Sequence, residues 1–165
     1  MTTPLAADVV RLSLSRERIW AIFDDVNALA RVLPGCEHLT ELEPRVYRGI
    51  VASRLQFLTV RAEVTARILD ATPPNHLRLD IAGRPLSLAG GFSATIPIDL
   101  EDANDPDGAG TVVTYRVDFT TSGRLASFGA PIMRDSLRRQ IAELVRNLER
   151  EVGPDLGATS GASIR

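Results

Sequence analysis

Apolar residues occupy every second position in Val10-Arg11-Leu12-Ser13-Leu14, as a strand with one buried face requires. The period then changes. Ser15 offers a hydroxyl to cap a helix start, and Ile19, Ile22, Phe23 and Val26 follow at spacings of three and four. Trp20 sits at the margin of that stripe. Asn27 is positioned to cap a second short helix through Leu29 and Val32. Pro34-Gly35 ends it, because proline has no amide proton to give and glycine accepts the angles of a tight turn.

After this corner the period is 2 for about half the chain. Leu39 to Leu42 reads as a short strand, and Val46 to Leu55 as another with Tyr47, Val51 and Leu55 on one face. From Leu58 to Ile68, Val60, Ala62, Val64 and Ala66 alternate with Arg61, Glu63, Thr65 and Arg67. Pro73-Pro74-Asn75 makes a turn, and Leu77, Leu79 and Ile81 resume the alternation. A loop from Gly83 to Gly91 leads to Phe92, Ala94, Ile96, Ile98 and Leu100. An acidic hairpin, Asp102 to Gly110, returns the chain to Val113, Tyr115, Val117 and Phe119. Strands joined by such short turns are antiparallel neighbours.

The last periodic segment is the longest. Leu125, Phe128, Ile132, Met133, Leu137, Ile141, Leu144, Leu148 and Val152 keep helical spacing, with Pro131 predicting a kink or a delayed start. Gly153-Pro154 stops the helix, and the Gly-, Ser- and Ala-rich residues 153–165 read as a disordered polar tail. Residues 1–152 read as a single domain. One long amphipathic helix must bury its stripe on one apolar sheet face, which predicts a two-layer α+β domain.

A strongly curved sheet closed by one helix leaves a wedge between the layers, and small residues on the inner face, Ala62, Ala66 and Ala94, favour open space there. The lining expected from the sheet is Val51, Val60, Val64, Leu79, Phe92, Ile96, Tyr115 and Val117. The helix side supplies Phe128, Ile132 and Met133, and Gln140 borders the stripe, where its amide could orient a ligand carbonyl. Such a lining suits a hydrophobic small molecule held by one or two polar groups. The competing reading is that these side chains fill a solid core.

Composition narrows the function by exclusion. With 44% hydrophobic and 24% charged residues, the 165-residue chain is ordinary globular material. A net charge of -2 argues against a nucleic-acid partner. Met1-Thr2-Thr3-Pro4 lacks the basic and apolar regions of a signal peptide, and one cysteine forms no internal disulfide, so a cytoplasmic setting is expected. Cys36 and His38, two apart on a strand, should share a face. A nucleophilic reading of that pair is outweighed by the habit of free cysteine to act as a small buried hydrophobe. Asp102, Asn104, Asp105 and Asp107 resemble a calcium loop, but Pro106 takes a ligand position and no glutamate closes it. Asp80, Asp99, Glu101 and Asp118 alternate outward, so no carboxylate is aimed into an apolar cleft for acid–base work. Neither a metal site nor a catalytic constellation emerges.

Two runs carry a family resemblance: Arg18-Ile19-Trp20-Ala21-Ile22-Phe23-Asp24-Asp25 and Leu33-Pro34-Gly35-Cys36-Glu37. With Asp70 to Asn75, Gly110 to Val117 and Gly123 to Gly129, the chain resembles the carbon monoxide dehydrogenase G-subunit family from about residue 7 to 151. That family lies within the START-like, helix-grip (SRPBCC) superfamily. The resemblance implies a curved seven-stranded antiparallel sheet around a long C-terminal helix, two short helices after the first strand, and a hydrophobic cavity. It makes Cys36 a corner residue. It also implies a non-enzymatic accessory role beside a molybdenum-type CO dehydrogenase or related oxidoreductase. The implied guest is an isoprenoid quinone or lipid, not a covalent cofactor, which would shuttle electrons to the membrane or recruit the enzyme there. Transient contact with the inner face of the cell membrane follows from that role. Some members carry a hydrophobic C-terminal anchor; here the tail is polar. The superfamily also contains cyclase- and hydratase-type enzymes, for which Tyr115, Gln140 and Arg134 would be the polar candidates. A third alternative is a docking protein with a filled core.

Overall fold

A computed structural model of the chain describes residues 4–104, 106 and 110–152. The reading of 153–165 as a disordered tail, and Asp105 and Asp107 of the acidic hairpin, fall outside the described residues.

The described residues form a seven-stranded antiparallel sheet: β1 Ala6–Leu12, β2 Cys36–Glu43, β3 Val46–Leu55, β4 Leu58–Thr72, β5 His76–Pro85, β6 Gly90–Asp102 and β7 Thr111–Gly123. The spatial order is β1-β7-β6-β5-β4-β3-β2. Between β1 and β2 lie α1, Arg16–Phe23, and α2, Val26–Val32; a 3-10 turn at Arg124–Phe128 precedes α3, Gly129–Val152. This is the expected helix-grip arrangement. Apart from the crossing between β1 and β2, each strand pairs with its successor, so the β3–β4, β5–β6 and β7–α3 connections all leave one end of the sheet. The backbone of α3 comes closest to the sheet at β1 and β3, near its two margins, so the sheet must wrap around the helix.

The local chemistry explains the elements. The Ser15 hydroxyl accepts from the Arg18 amide and caps α1. Asp25, not Asn27, caps α2: its carboxylate accepts from the Asn27 and Ala28 amides, and ionised caps hold orphan amides well. The first strand ends at Leu12, earlier than its alternation predicts. Leu14 is buried as part of the loop, and Thr111, fully buried, donates its hydroxyl to the Leu14 carbonyl at 2.6 Å. Pro131 sits in the first turn of α3, where a missing amide costs nothing, so the helix starts late instead of kinking.

Core packing is split into two clusters. The larger joins α1 and α2 to Leu12, Tyr47, Ile68, Leu77, Leu100 and Leu148. Within it the Tyr47 hydroxyl donates to the Phe23 carbonyl at 2.8 Å, and the Arg45 guanidinium stands 5.4 Å from the centre of the Trp20 ring. The smaller cluster, at the opposite end of the sheet, contains Leu55, Val60 and Leu125 with Leu88, Phe92, Phe128, Ile132 and Met133 against them.

Candidate ligand-binding site

Directly paired residues of antiparallel strands point to the same face. The register therefore settles which side chains look toward α3. Val51 pairs with Ala62, and Gly49 with Val64. Leu79 pairs with Ile96, Ile81 with Ala94, and Gly83 with Phe92. Ala94 pairs with Phe119, two residues along β7 from Val117 and four from Tyr115, which sits opposite Ile98. All ten sheet positions expected to line a cavity thus lie on the concave face.

They do not all belong to a packed core. Val60, Phe92, Phe128, Ile132 and Met133 are in the smaller cluster, and Leu79 touches the larger one. Val51, Val64, Ile96 and Tyr115 lie between the two clusters, belong to neither, and stay partly exposed. Ile81, Leu137 and Ile141 share that state. Ala62, Ala94 and Val117 are buried there without joining either cluster. Mid-sheet aliphatics facing a helix would be among the most hidden residues of a solid core. Their partial exposure describes an apolar trough under α3, walled at each end by packed side chains. Two glycines deepen it: Gly49 and Gly83 flank Val64 on the inner face and contribute no side chain. The Phe92 ring lies over Gly83, where a Cβ would come within 2.5 Å of its Cζ.

Three polar side chains meet in the trough. Ser53 on β3 and Ser136 on α3 hydrogen-bond through their hydroxyls at 3.1 Å, and the Gln140 amide donates to the Ser53 hydroxyl. Ser136 is 4% exposed. Gln140 was legible as a helix-margin polar residue; the serines were not. Ser53 looks like any polar residue in an alternating strand, and Ser136 is one helical turn from Gln140, which is the only signal that could have found it. On the β7 side, burial pushes the Tyr115 phenol up from its ordinary value. Asp8 on β1 pushes the same way and Arg138 on α3 opposes. Tyr115 is therefore a neutral donor at physiological pH. Arg134 is engaged elsewhere, donating through Nε to the Leu5 carbonyl at 2.8 Å and tying α3 to the first strand.

The other chemical candidates resolve into structure. A bulge between Cys36 and His38 places Cys36 opposite Val51 and His38 opposite Ile50, so the two side chains take opposite faces and the expected shared face is wrong. The Cys36 thiol points to the His38 carbonyl at 3.7 Å, not to its ring. Burial raises the thiol above its ordinary value; the bond to His38 lowers it and Glu37 raises it further. That makes a protonated thiol, unsuited to attack. Asp80, Asp99 and Asp118 stand on the convex face, paired with Arg78, His76 and Arg116. Among the described residues no group of three potential ligands is gathered for a metal. The Asn104 amide donates to the Asp102 carboxylate, an ordinary turn contact. Two surface depressions, near Ser93–Thr95 with Arg116 and Asp118, and near His76 with Asp99 and Thr114, involve the outer side of the sheet. α2 buries Ala28, Leu29 and Val32 in the larger cluster.

A family model described as the carbon monoxide dehydrogenase G subunit (CoxG) matches residues 9–153. No curated protein matches the chain. Among solved structures, a conserved protein from Geobacillus kaustophilus is similar at 21% identity with a TM-score of 0.77, over 87% of this chain and 91% of that one. The ZhuI aromatase/cyclase from a Streptomyces species is similar at 14% identity and TM-score 0.64, over 95% and 98% of the two chains. A Chromobacterium violaceum protein follows at 20% identity and TM-score 0.60, over 90% and 99%. At these identities the likeness is one of fold.

Proposed function

We propose, since this chain belongs to the CoxG family of carbon monoxide dehydrogenase, that it is a non-catalytic accessory protein that carries a hydrophobic molecule in the trough under α3. The family points to a molybdenum-type CO dehydrogenase or related oxidoreductase as partner and to an isoprenoid quinone as guest. The observation that carries the reading is the set of partly exposed inward aliphatics between two packed clusters, with a hydrogen-bonding group at one wall. Val51, Val64, Ile81 and Ile96 offer an apolar surface for a ring or tail. Ser53, Ser136 and Gln140, opposite neutral Tyr115, supply donors for carbonyl oxygens. Covering about 400 Å² of apolar ligand surface is worth roughly 10 kcal/mol before ordering costs, enough to hold a lipid-like guest. Uptake of two electrons and two protons would convert a bound quinone to quinol, with the electrons supplied by the partner.

The cyclase alternative has the fold in its favour but needs an acid–base group in the trough. Tyr115 is held neutral and Arg134 is bonded to backbone. The filled-core alternative expects Val51, Val64, Ile81 and Ile96 to be as buried as Ala62, Ala94 and Val117 beside them, and they are not.

The test is to incubate the purified chain with a short-tailed quinone, remove excess, extract the protein and quantify quinone by chromatography and mass spectrometry. About one quinone per chain is expected, with clear loss in Gln140→Leu and Val64→Phe. Retention no better than that of an unrelated globular protein would end the proposal.

A further inference from the structure

The end of the sheet that holds the smaller cluster carries an exposed apolar protrusion. Gln56 and Phe57 form the β3–β4 turn, closed by the Leu55–Leu58 pair, and Gln56 adopts a φ of +57°. Phe57 is 80% exposed, the most exposed large hydrophobic among the described residues, beside Leu58 at 43%. The β5–β6 loop leaves the same end, and there Leu86 is 55% exposed. Its amide donates to the Arg61 carbonyl, which puts Leu86 about 10 Å along β4 from the turn. A solvated loop has no use for a phenylalanine at its tip. Nor does the tip sway freely: the Arg54 guanidinium donates to the Gln56 carbonyl, and Arg139 of α3 donates to the Arg54 carbonyl at 2.9 Å.

Charge identifies the partner. Around the protrusion stand Arg54, Arg61, Arg84, Arg124 and Arg139, facing the carboxylates Glu37, Glu63 and Asp135. The opposite end carries Asp24, Glu43, Asp70, Glu101 and Asp102 against Arg16, Arg45 and Arg78, so its carboxylates outnumber its arginines, and the whole chain is net negative. A molecule negative overall but basic around one apolar tip is oriented by an anionic surface. Three protruding side chains fall far short of the roughly 1,000 Å² that a stable protein–protein contact requires. They suit insertion into the headgroup boundary of a bilayer, where an aromatic ring sits well and arginine stems lie along apolar surface.

We infer that Phe57, Leu58 and Leu86 form a tip that inserts into an anionic lipid bilayer, with the surrounding arginines on its headgroups, so that the trough is loaded from the membrane at this end. The inference rests on the carrier reading above for its purpose, but its test is separate. The protein is sedimented with vesicles of phosphatidylcholine alone and with phosphatidylglycerol added, at low and high salt. Binding is expected to the anionic vesicles and to weaken with salt. Phe57→Ser with Leu86→Ser should lower partitioning about tenfold or more, since burying either side chain fully is worth that much. Arg54→Glu should lower it further and flatten the salt dependence. Both changes are at exposed positions, so circular dichroism and uptake of a soluble short-tailed quinone should match the parent protein. Unchanged partitioning of the double variant, or binding of the parent to neither vesicle, would overturn the inference. So would a parent dimer, seen by analytical ultracentrifugation, that the double variant abolishes, since the tip would then serve a second copy. Anionic vesicle binding without quinone uptake leaves this surface standing and removes the carrier reading.

Discussion

Replacing Val64 with phenylalanine enlarges a side chain at the middle of the concave face, flanked by Gly49 and Gly83 and outside both hydrophobic clusters. In a filled core the extra ring atoms force neighbours off their rotamers, at a cost of about 1–3 kcal/mol or more. In an open apolar trough the ring enters space that water now reaches, so the expected change is within about 1 kcal/mol of the parent protein. Leu77→Ala supplies the scale. Leu77 is 1% exposed within the larger cluster. Removing three methylene-sized groups costs about 2.4 kcal/mol in transfer, and the cavity left behind brings the total to about 3–5 kcal/mol. Urea unfolding followed by circular dichroism reads both, as shifts in midpoint at constant slope. Thermal midpoints should follow, with a drop on the order of 10 °C for Leu77→Ala and a few degrees at most for Val64→Phe. The same Val64→Phe protein should have lost quinone uptake, because the ring occupies the guest's place. If Val64→Phe proves as damaging as Leu77→Ala, the layers are in contact at mid-sheet and the trough does not exist.

Three further outcomes follow from particular contacts. Ser53→Ala strands the buried Ser136 hydroxyl and should cost about 1–2 kcal/mol in urea unfolding, whereas adding Ser136→Ala should cost less than the sum of the single changes; strict additivity would dissolve the pair. Both tyrosines of the chain hold their protons above the ordinary value of 10.0, chiefly through burial. Each contributes stability that is complete below that pH and is lost as pH rises through the folded pKa, so ultraviolet titration should show less phenolate at the ordinary value than free tyrosine does, and stability should decline above about pH 10. A tyrosine ionising normally in the folded protein would contradict this. Cys36 should react with a thiol reagent more slowly than a free cysteine at neutral pH and reach the free rate in urea, since burial keeps it protonated; fast native labelling would reopen the nucleophile reading.

Much of this architecture is carried by local rules. The switch from period 3.6 to period 2 at Pro34-Gly35 separates the short helices from the sheet, and alternation alone places Val51, Val64, Leu79 and Ile96 on one face, because side chains in a strand alternate without exception until a bulge intervenes. Where a bulge does intervene the rule fails: the irregularity after Cys36 turns His38 to the other face, and nothing in the residues themselves announces it. Helix boundaries slipped for a similar reason. Leu125 and Phe128 keep helical spacing yet belong to a 3-10 turn, since Gly129, at φ +83°, breaks the backbone before α3 begins.

Periodicity and turn chemistry, which act over a few residues, by themselves determined the element order, the two-layer α+β class and the concave face; the helix-grip fold was legible only through the family resemblance. Only the tertiary structure decided that the face is split into two packed ends with a half-open middle. That division depends on where α3 comes close to the sheet, near its margins at β1 and β3, a distance between elements far apart in the chain that no local pattern encodes. The meeting of Ser53 with Ser136 across 83 residues, and the placing of Phe57 and Leu86 at the same end of the sheet, arose in the same way. Alternation says which way a side chain points; only the packed layers say whether anything waits there to meet it.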